Sequence, residues 1–427
     1  MPAKSAGLEA RARTFREAIE THFIDEKGYL IYNLDRRTLR PFTPEALAGK
    51  EIALKGDWTY EDTMFLSGLY LYALTEEYLV TSDASVQAIA AKFFDDLQPL
   101  LAENDQIEPG YIGKPWGGIP RQSTTLDQTF YFCFGLHRYT EIADAGRKRR
   151  AGEIIARNVD WWMRRDYFWG TTPGDETVSG WLGPAFGGAM LAQVFMAYLQ
   201  TGDRKYREEC ERLNRVFRAD DFPCRRMDQW CPVDERGFKI RRTALWFQSY
   251  SKALWLLARH WPERLPFWQE RMTDHWRQEF RLGLDETDGL TYLCPRVNLA
   301  DESEVPLRPE EAFLYTQHPR YEELKKLGLQ VSRLWVGTAK SAMFSTFVAM
   351  SAVLTAETAP WMAEESGRVL RIVLPKLDLL QMRWVVDADG GQWPEERSYA
   401  RETLTAKAII PWLIAYWQGR RLGLIEA

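Results

Sequence analysis

Two kinds of apolar pattern alternate along the chain. In the first, apolar residues run almost all the way round a helical period, as in LSGLYLYAL, CFGLHRYTEI, AMLAQVFMAYL and KALWLLARH. In the second, one apolar stripe opposes a charged face, as in KYREECERLNRVF and GRKRRAGEIIARNVDWW. A helix that is apolar all round is buried on every side, whereas a striped helix is half exposed. The pattern predicts buried helices over 65–79, 130–142, 190–199, 250–260, 343–354 and 404–417. It predicts half-exposed partners over 84–101, 147–165, 204–217, 267–280 and 363–380, with 9–23 supplying a sixth. Polar turns such as Thr81-Ser82-Asp83 and Thr201-Gly202-Asp203 stop one helix before the next begins.

The buried helices recur about every 60 residues, a period that marks a repeat architecture. One interval is longer: 285–333, rich in proline and charge, reads as an insertion. Short extended candidates are few, at 29–33 and 237–241. Six buried helices inside six amphipathic ones give the expected fold: all-α, an (α/α)6 toroid of six helical hairpins, one domain over 1–427 with an inserted loop region near 285–333. Helical bundles and an open solenoid are the competing arrangements.

In such a ring short connections make the inner helices parallel, so their amino-terminal ends share one rim. Unpaired N–H groups and helix dipoles make that rim suited to polar or anionic ligands. The residues just before each inner helix are then neighbours. Asp62 and Asp127 hold comparable positions in successive repeats, within GDWTYEDTMF and QSTTLDQTF, and GGQWPEERSYARE brings Glu395 and Glu396 to the last helix. These four carboxylates are the catalytic candidates. Around them stand Trp58, Trp181, Trp246 and Trp335 as stacking platforms, Glu61, Gln128, Tyr250 and Tyr399 as polar partners, and Arg121, Arg241, Arg397 and Lys340 as cations. Sugars call for this mixture, because their C–H faces stack on indoles while their hydroxyls need carboxylate, amide and guanidinium partners. The plain alternative for Asp62 or Asp127 is an early-turn acid that stabilises a helix start by ~0.3–1 kcal/mol. For each tryptophan it is a place in the core.

Charge removes some functions. A net charge of −5 and a pI near 5.8 supply no basic field for a phosphate backbone, so nucleic acid is not an expected partner. The run Lys148-Arg149-Arg150 reads as a solvated helix end. No apolar run reaches membrane-spanning length. The first twenty residues lack a signal-peptide core, so the expected location is cytoplasmic, although a removed export signal would leave no trace. Cys133, Cys210, Cys224, Cys231 and Cys294 are odd in number and scattered, which favours thiols over a disulfide framework. No metal, P-loop or dinucleotide motif is present, and no cofactor is expected. His137 and His260 fall inside helix patterns and His22, His275 and His318 are isolated, which disfavours a two-histidine sugar epimerase.

At EDTMFLSGLYLYAL and TLDQTFYFCFGL the sequence resembles toroidal glycoside hydrolases, in particular the unsaturated glucuronyl and related uronyl hydrolases. The resemblance implies that Asp127 is a general acid/base and that Asp62 assists it. The family's Trp-Arg-Gly helix start has no counterpart in GWLGPAFGGAML or ALWFQSYSKAL. The expected activity is acid/base hydrolysis of an oligosaccharide, one containing uronic acid, with one carboxyl kept protonated by burial or by a neighbouring carboxylate, as Glu61 would do for Asp62. Arg121, Arg241 or Arg397 would bind a substrate carboxylate. The rivals are a polysaccharide lyase using Tyr399 or Tyr250 as base with Arg397 or Lys340 neutralising the uronate, and a non-catalytic sugar-binding toroid. Sugar identity, stereochemistry and oligomeric state stay open.

Overall fold

A computed structural model describes residues 5–43, 59–116, 119–120, 124–169, 178–179, 187–217, 238–240, 245–277, 284–292, 296–298, 304–305, 313–314, 335–336, 340–383 and 402–426. Its helices are α1 (Ser5–Ala18), α2 (Thr63–Thr81), α3 (Ala84–Asp96), α4 (Gln98–Ile107), α5 (Leu126–Tyr139), α6 (Ala145–Arg164), α7 (Gly187–Thr201), α8 (Arg204–Phe217), α9 (Leu245–His260), α10 (Leu265–His275), α11 (Ala342–Thr358), α12 (Ala363–Val373) and α13 (Ala406–Arg421).

The all-round apolar helices form an inner ring. Helix α2 packs on α5, α5 on α7, α7 on α9, α9 on α11 and α11 on α13, and α13 returns to α2. Outside it, α3 lies on α2, α6 on α5, α8 on α7, α10 on α9, α12 on α11 and α1 on α13. The fold is therefore an (α/α)6 toroid. The first helix of the chain is the last outer member, so both ends of the chain close the ring.

Several helices begin earlier than apolar periodicity alone places them, α2 at Thr63, α5 at Leu126 and α6 at Ala145 among them, and polar residues cap helix starts. Asp83 accepts from Ser85 N at 2.8 Å and Asp144 from Arg147 N at 2.9 Å, each satisfying a free helix donor. The span expected over 84–101 is two helices: the chain breaks at Leu97, and Pro99, which has no N–H to give, sits in the first turn of α4. Helix α12 stops at Val373 and gives way to a 3-10 turn, Leu374–Lys376, built on Pro375. Of the extended candidates, 29–33 meets a strand only at its last residue, in Asn33–Asp35, which pairs antiparallel with Thr403–Thr405, while 237–241 contains the strand Phe238–Ile240. The first pair fastens the start of α13 beside the start of α2, since Tyr32 accepts from Ala406 N at 3.0 Å and donates to Thr59 O at 2.6 Å.

Two glycines set the spacing of α2 and α5. A Cβ on Gly135 would lie 1.7 Å from the Gly68 carbonyl oxygen, and one on Gly68 would lie 2.1 Å from the Tyr131 carbonyl oxygen. Only hydrogen side chains let these backbones approach so closely.

The carboxy-terminal ends of the inner helices are closed by charge. Buried Glu76 of α2 accepts from Arg138 Nη2 at 2.6 Å and from Arg421 Nε at 2.8 Å. Arg421 and Arg259 also reach Glu357 at 3.1 and 2.9 Å, and Arg138 and Arg259 share Glu141. Arginines at helix carboxy termini complement the negative dipole ends there. The remaining inner helix, α7, joins through Gln200, whose amide is 2.7 Å from His137 Nδ1, while His137 and His260 face each other with Nε2 atoms 3.3 Å apart. One end of the ring is thus cross-linked throughout.

Candidate active site at the amino-terminal rim

Asp62 precedes α2 and is buried, but its side chain makes no capping hydrogen bond. It is held instead by two other inner helices. Lys407 Nζ of α13 donates to Oδ2 at 2.7 Å and Gln128 Nε2 of α5 donates to Oδ1 at 2.7 Å. The same Gln128 accepts through Oε1 from Phe65 N at 3.1 Å, so one amide both caps α2 and orients Asp62. Asp62 is consequently a cross-brace between three helix starts and not a simple early-turn acid. Lys407 lies 4.3 Å from the Phe65 ring centre, and that ring packs on Tyr131 at a tilt of 36° with centroids 3.9 Å apart.

Glu61 and Asp127 flank this brace. Burial and then the adjacent Asp62 push the Glu61 carboxyl above its ordinary pKa, with Lys114 and Lys407 opposing and Asp127 adding to the rise. The hydrogen bonds of Asp62 with Gln128 and Lys407 bring the starts of α2, α5 and α13 into one neighbourhood. Glu61 is therefore biased toward its protonated form. Asp127, half-buried in the first turn of α5, accepts from Gln128 N at 3.1 Å.

The other expected residues divide into three groups. Trp58, Arg121, Trp181, Arg241, Glu395, Glu396, Arg397 and Tyr399 lie outside the described residues. Trp246 and Trp335 belong to α9 and to the strand Trp335–Val336, but their side chains also lie outside them. Tyr250 and Lys340 are described and stand elsewhere. Tyr250 is buried with its ring edge-to-face on His275 at 5.1 Å. Lys340 Nζ lies 2.8 Å from Asp285 and 2.6 Å from Asp288, so it pins the head of the 285–333 segment to the strand before α11. Lys252, on α9, is fully buried beside Ser251 and Ser351, each 3.3 Å from its Nζ, and burial drives its pKa well down.

The sequence reading missed Lys407 and Lys114. Lys407 was visible only as a lone cation opening TLTAKAIIPWL, a pattern shared by many solvated helix ends. Among the described residues no cluster of three or more His, Cys, Asp or Glu side chains is arranged to hold a metal, and no helix is long and apolar enough to cross a membrane. Cys133 and Cys210 are buried free thiols. An outer groove lined by Asp95, Gln98, Arg147 and Arg150 lies on the outside of the ring, away from this rim.

No protein-family model matches the sequence, and no curated protein is similar to it. A solved structure is similar in fold: the crystal structure of D-mannose isomerase, with a TM-score of 0.57 at 11% identity over 100% of both chains. The likeness is one of architecture, shared from end to end.

Proposed function

We propose that this protein is a carbohydrate-active enzyme, and that it hydrolyses a glycosidic bond in an oligosaccharide containing an acidic sugar. Glu61 is the proton donor. Its raised pKa, caused by burial and the Asp62 charge, keeps a proton available for the leaving oxygen. Asp127 is the second carboxylate, activating water or stabilising positive charge on the sugar ring. Asp62 is a positioning residue, fixed by Lys407 and Gln128, and through its charge it sets the proton affinity of Glu61. The observation that carries this reading is the meeting of Glu61, Asp62 and Asp127 at one rim of a ring whose other end is closed by ion pairs. The resemblance of EDTMF and TLDQTF to the uronyl hydrolases supports the substrate class.

A second reading has one observation in its favour, the similarity in fold to D-mannose isomerase. A protonated carboxyl beside a carboxylate also suits proton transfer between adjacent carbons of an open-chain sugar. Products separate the two readings. Incubation with uronic-acid oligosaccharides releases new reducing ends if the enzyme is a hydrolase. Interconversion of aldose and ketose without cleavage identifies an isomerase, and new absorbance near 235 nm a lyase. For the hydrolase, Glu61→Gln and Asp127→Asn each lower turnover by about 10²–10⁴-fold, the usual worth of a positioned acid or base. Full turnover in both folded variants would overturn the assignment.

A further inference from the structure

Three polar side chains meet inside the ring, apart from the rim carboxylates. Ser251 and Lys252 sit near the middle of α9 and Ser351 near the middle of α11, and all three are fully buried. Their polar atoms form a near-equilateral triangle. Lys252 Nζ is 3.3 Å from Ser251 Oγ and 3.3 Å from Ser351 Oγ, and the two hydroxyl oxygens are 3.2 Å apart. The triangle faces the interior of the ring, because Lys252 Nζ also lies 5.4 Å from the Phe347 ring centre and 6.0 Å from that of Tyr131, which belongs to α5, two places round the ring.

Ser351 is held differently from its neighbours. A hydroxyl inside a helix commonly donates to the carbonyl four residues back, as Thr75 does to Leu71 O at 2.8 Å and Ser345 to Ser341 O at 2.8 Å. Among the described residues Ser351 makes no such bond, and its partners are Ser251 Oγ and Lys252 Nζ. Its proton is therefore turned into the triangle. Burial holds the Lys252 amine well below its ordinary pKa, so the nitrogen has a lone pair with which to receive that proton. A serine within reach of a neutral lysine is the nucleophile and base of Ser–Lys acyl transfer. Packing alone does not ask for such a cluster, since apolar side chains of similar volume would fill the space with nothing to desolvate.

We propose that Ser251, Lys252 and Ser351 form a second catalytic centre, in which a small ester acylates Ser351 with Lys252 as the base and Ser251 holding the amine. In the first step Ser351 Oγ bonds to the ester carbonyl carbon and its proton passes to Lys252 Nζ. The bond from that carbon to the alcohol oxygen breaks, and the alcohol leaves with the proton. Water, deprotonated by the same amine, then cleaves the acyl-serine, releasing the acid and restoring the hydroxyl. The surroundings set the ester class. Phe65, Tyr131 and Phe347 stand between the triangle and the brace of Asp62 and Lys407, with Phe347 edge-to-face on Phe65 at 6.1 Å. An acyl group that reaches Ser351 by turning these rings aside is short and apolar, as acetyl is. The chemistry of the rim carboxylates does not enter the proposal.

Two reagents test it on the full-length protein. Methanesulfonyl fluoride is small and forms a stable sulfonyl ester with an activated serine as fluoride leaves, and p-nitrophenyl acetate reports acyl transfer through nitrophenolate release. Peptide mass spectrometry is expected to find the sulfonyl group on Ser351 in the wild type and to find none there in Lys252→Met. Nitrophenolate release falls by about 10²-fold or more in Ser351→Ala and in Lys252→Met, the worth of a positioned base and its nucleophile. Both substitutions replace a buried polar group with an apolar one, and the wild-type adduct decides the matter should either variant not fold. No adduct on Ser351 in the wild type, an adduct on Ser251 or Lys252 in its place, or equal modification of a folded Lys252→Met protein overturns the proposal. So does unchanged nitrophenolate release in folded Ser351→Ala.

Discussion

Four charges act on the Glu61 carboxyl, those of Asp62, Lys114, Lys407 and Asp127, and two of them give opposite tests. Asp62→Asn removes the adjacent negative charge and releases Lys407 from its ion pair. Both changes favour ionised Glu61, so its pKa falls. The alkaline limb of kcat/KM, where the acid loses its proton, therefore moves to lower pH. Lys407→Met removes a cation that favours ionised Glu61, and the same limb moves to higher pH. Profiles that shift together, or not at all, would show that Glu61 is not the titrating acid. This scale also shows how far the letters went. Glu61, Asp62, Asp127 and Gln128 were legible because polar residues stand out where a wholly apolar helix begins. Their division of labour was not, because the decisive partner of Asp62 is 345 positions away and becomes a neighbour only when α13 closes against α2. The ion pairs of Lys340 were hidden for the same reason: its two carboxylate partners come from the head of the inserted segment.

The helices themselves were nearly all readable, since burial on every side or on one side is written directly into residue order. What periodicity does not record is how closely two helices approach. The contact of Gly68 with Gly135 brings α2 and α5 together, and with them the two starts that Gln128 ties. Gly135→Ala forces a methyl into a space 1.7 Å from the Gly68 carbonyl oxygen, and backbone, unlike a side-chain tip, has no rotamer in which to yield. The expected cost is about 3 kcal/mol, the upper range for overpacking, read as a lower denaturant midpoint with an unchanged m-value. Parting these helices also strains the hydrogen bond from Gln128 to Asp62, so whatever fraction folds should turn over more slowly. A Gly135→Ala protein of unchanged stability would mean that the two helices are not held at this distance in solution.

Across the whole ring, the two ends answer differently to pH. At the closed end burial, mutual repulsion and the nearby arginines lower His137 from 6.5 to about 3, and burial with Arg259 lowers His260 to about 4. The folded protein keeps both neutral while the unfolded chain takes up protons below 6.5, so this contribution is complete above that pH and is lost as pH falls toward 4. Between pH 6.5 and 5 the loss is at most about 2 kcal/mol per histidine. Glu77, by which α2 meets Arg16 of α1, runs the other way. Burial raises it to about 7, so its ionisation destabilises the fold as pH climbs from 4.5 to 7. The two effects overlap, and wild-type stability alone does not separate them. The difference between the wild type and a His137→Gln, His260→Gln double variant does, because Glu77 is common to both. That difference should shrink, in the direction of favouring the variant, as pH is lowered from 7 to 5 in urea denaturation. A pH-independent difference would mean that the imidazoles take up protons in the fold as readily as in the unfolded chain. The edge-to-face pair, with Nε2 atoms 3.3 Å apart, would then have to carry two positive charges among Arg138 and Arg259, an arrangement that a closed end built on compensated ion pairs does not sustain.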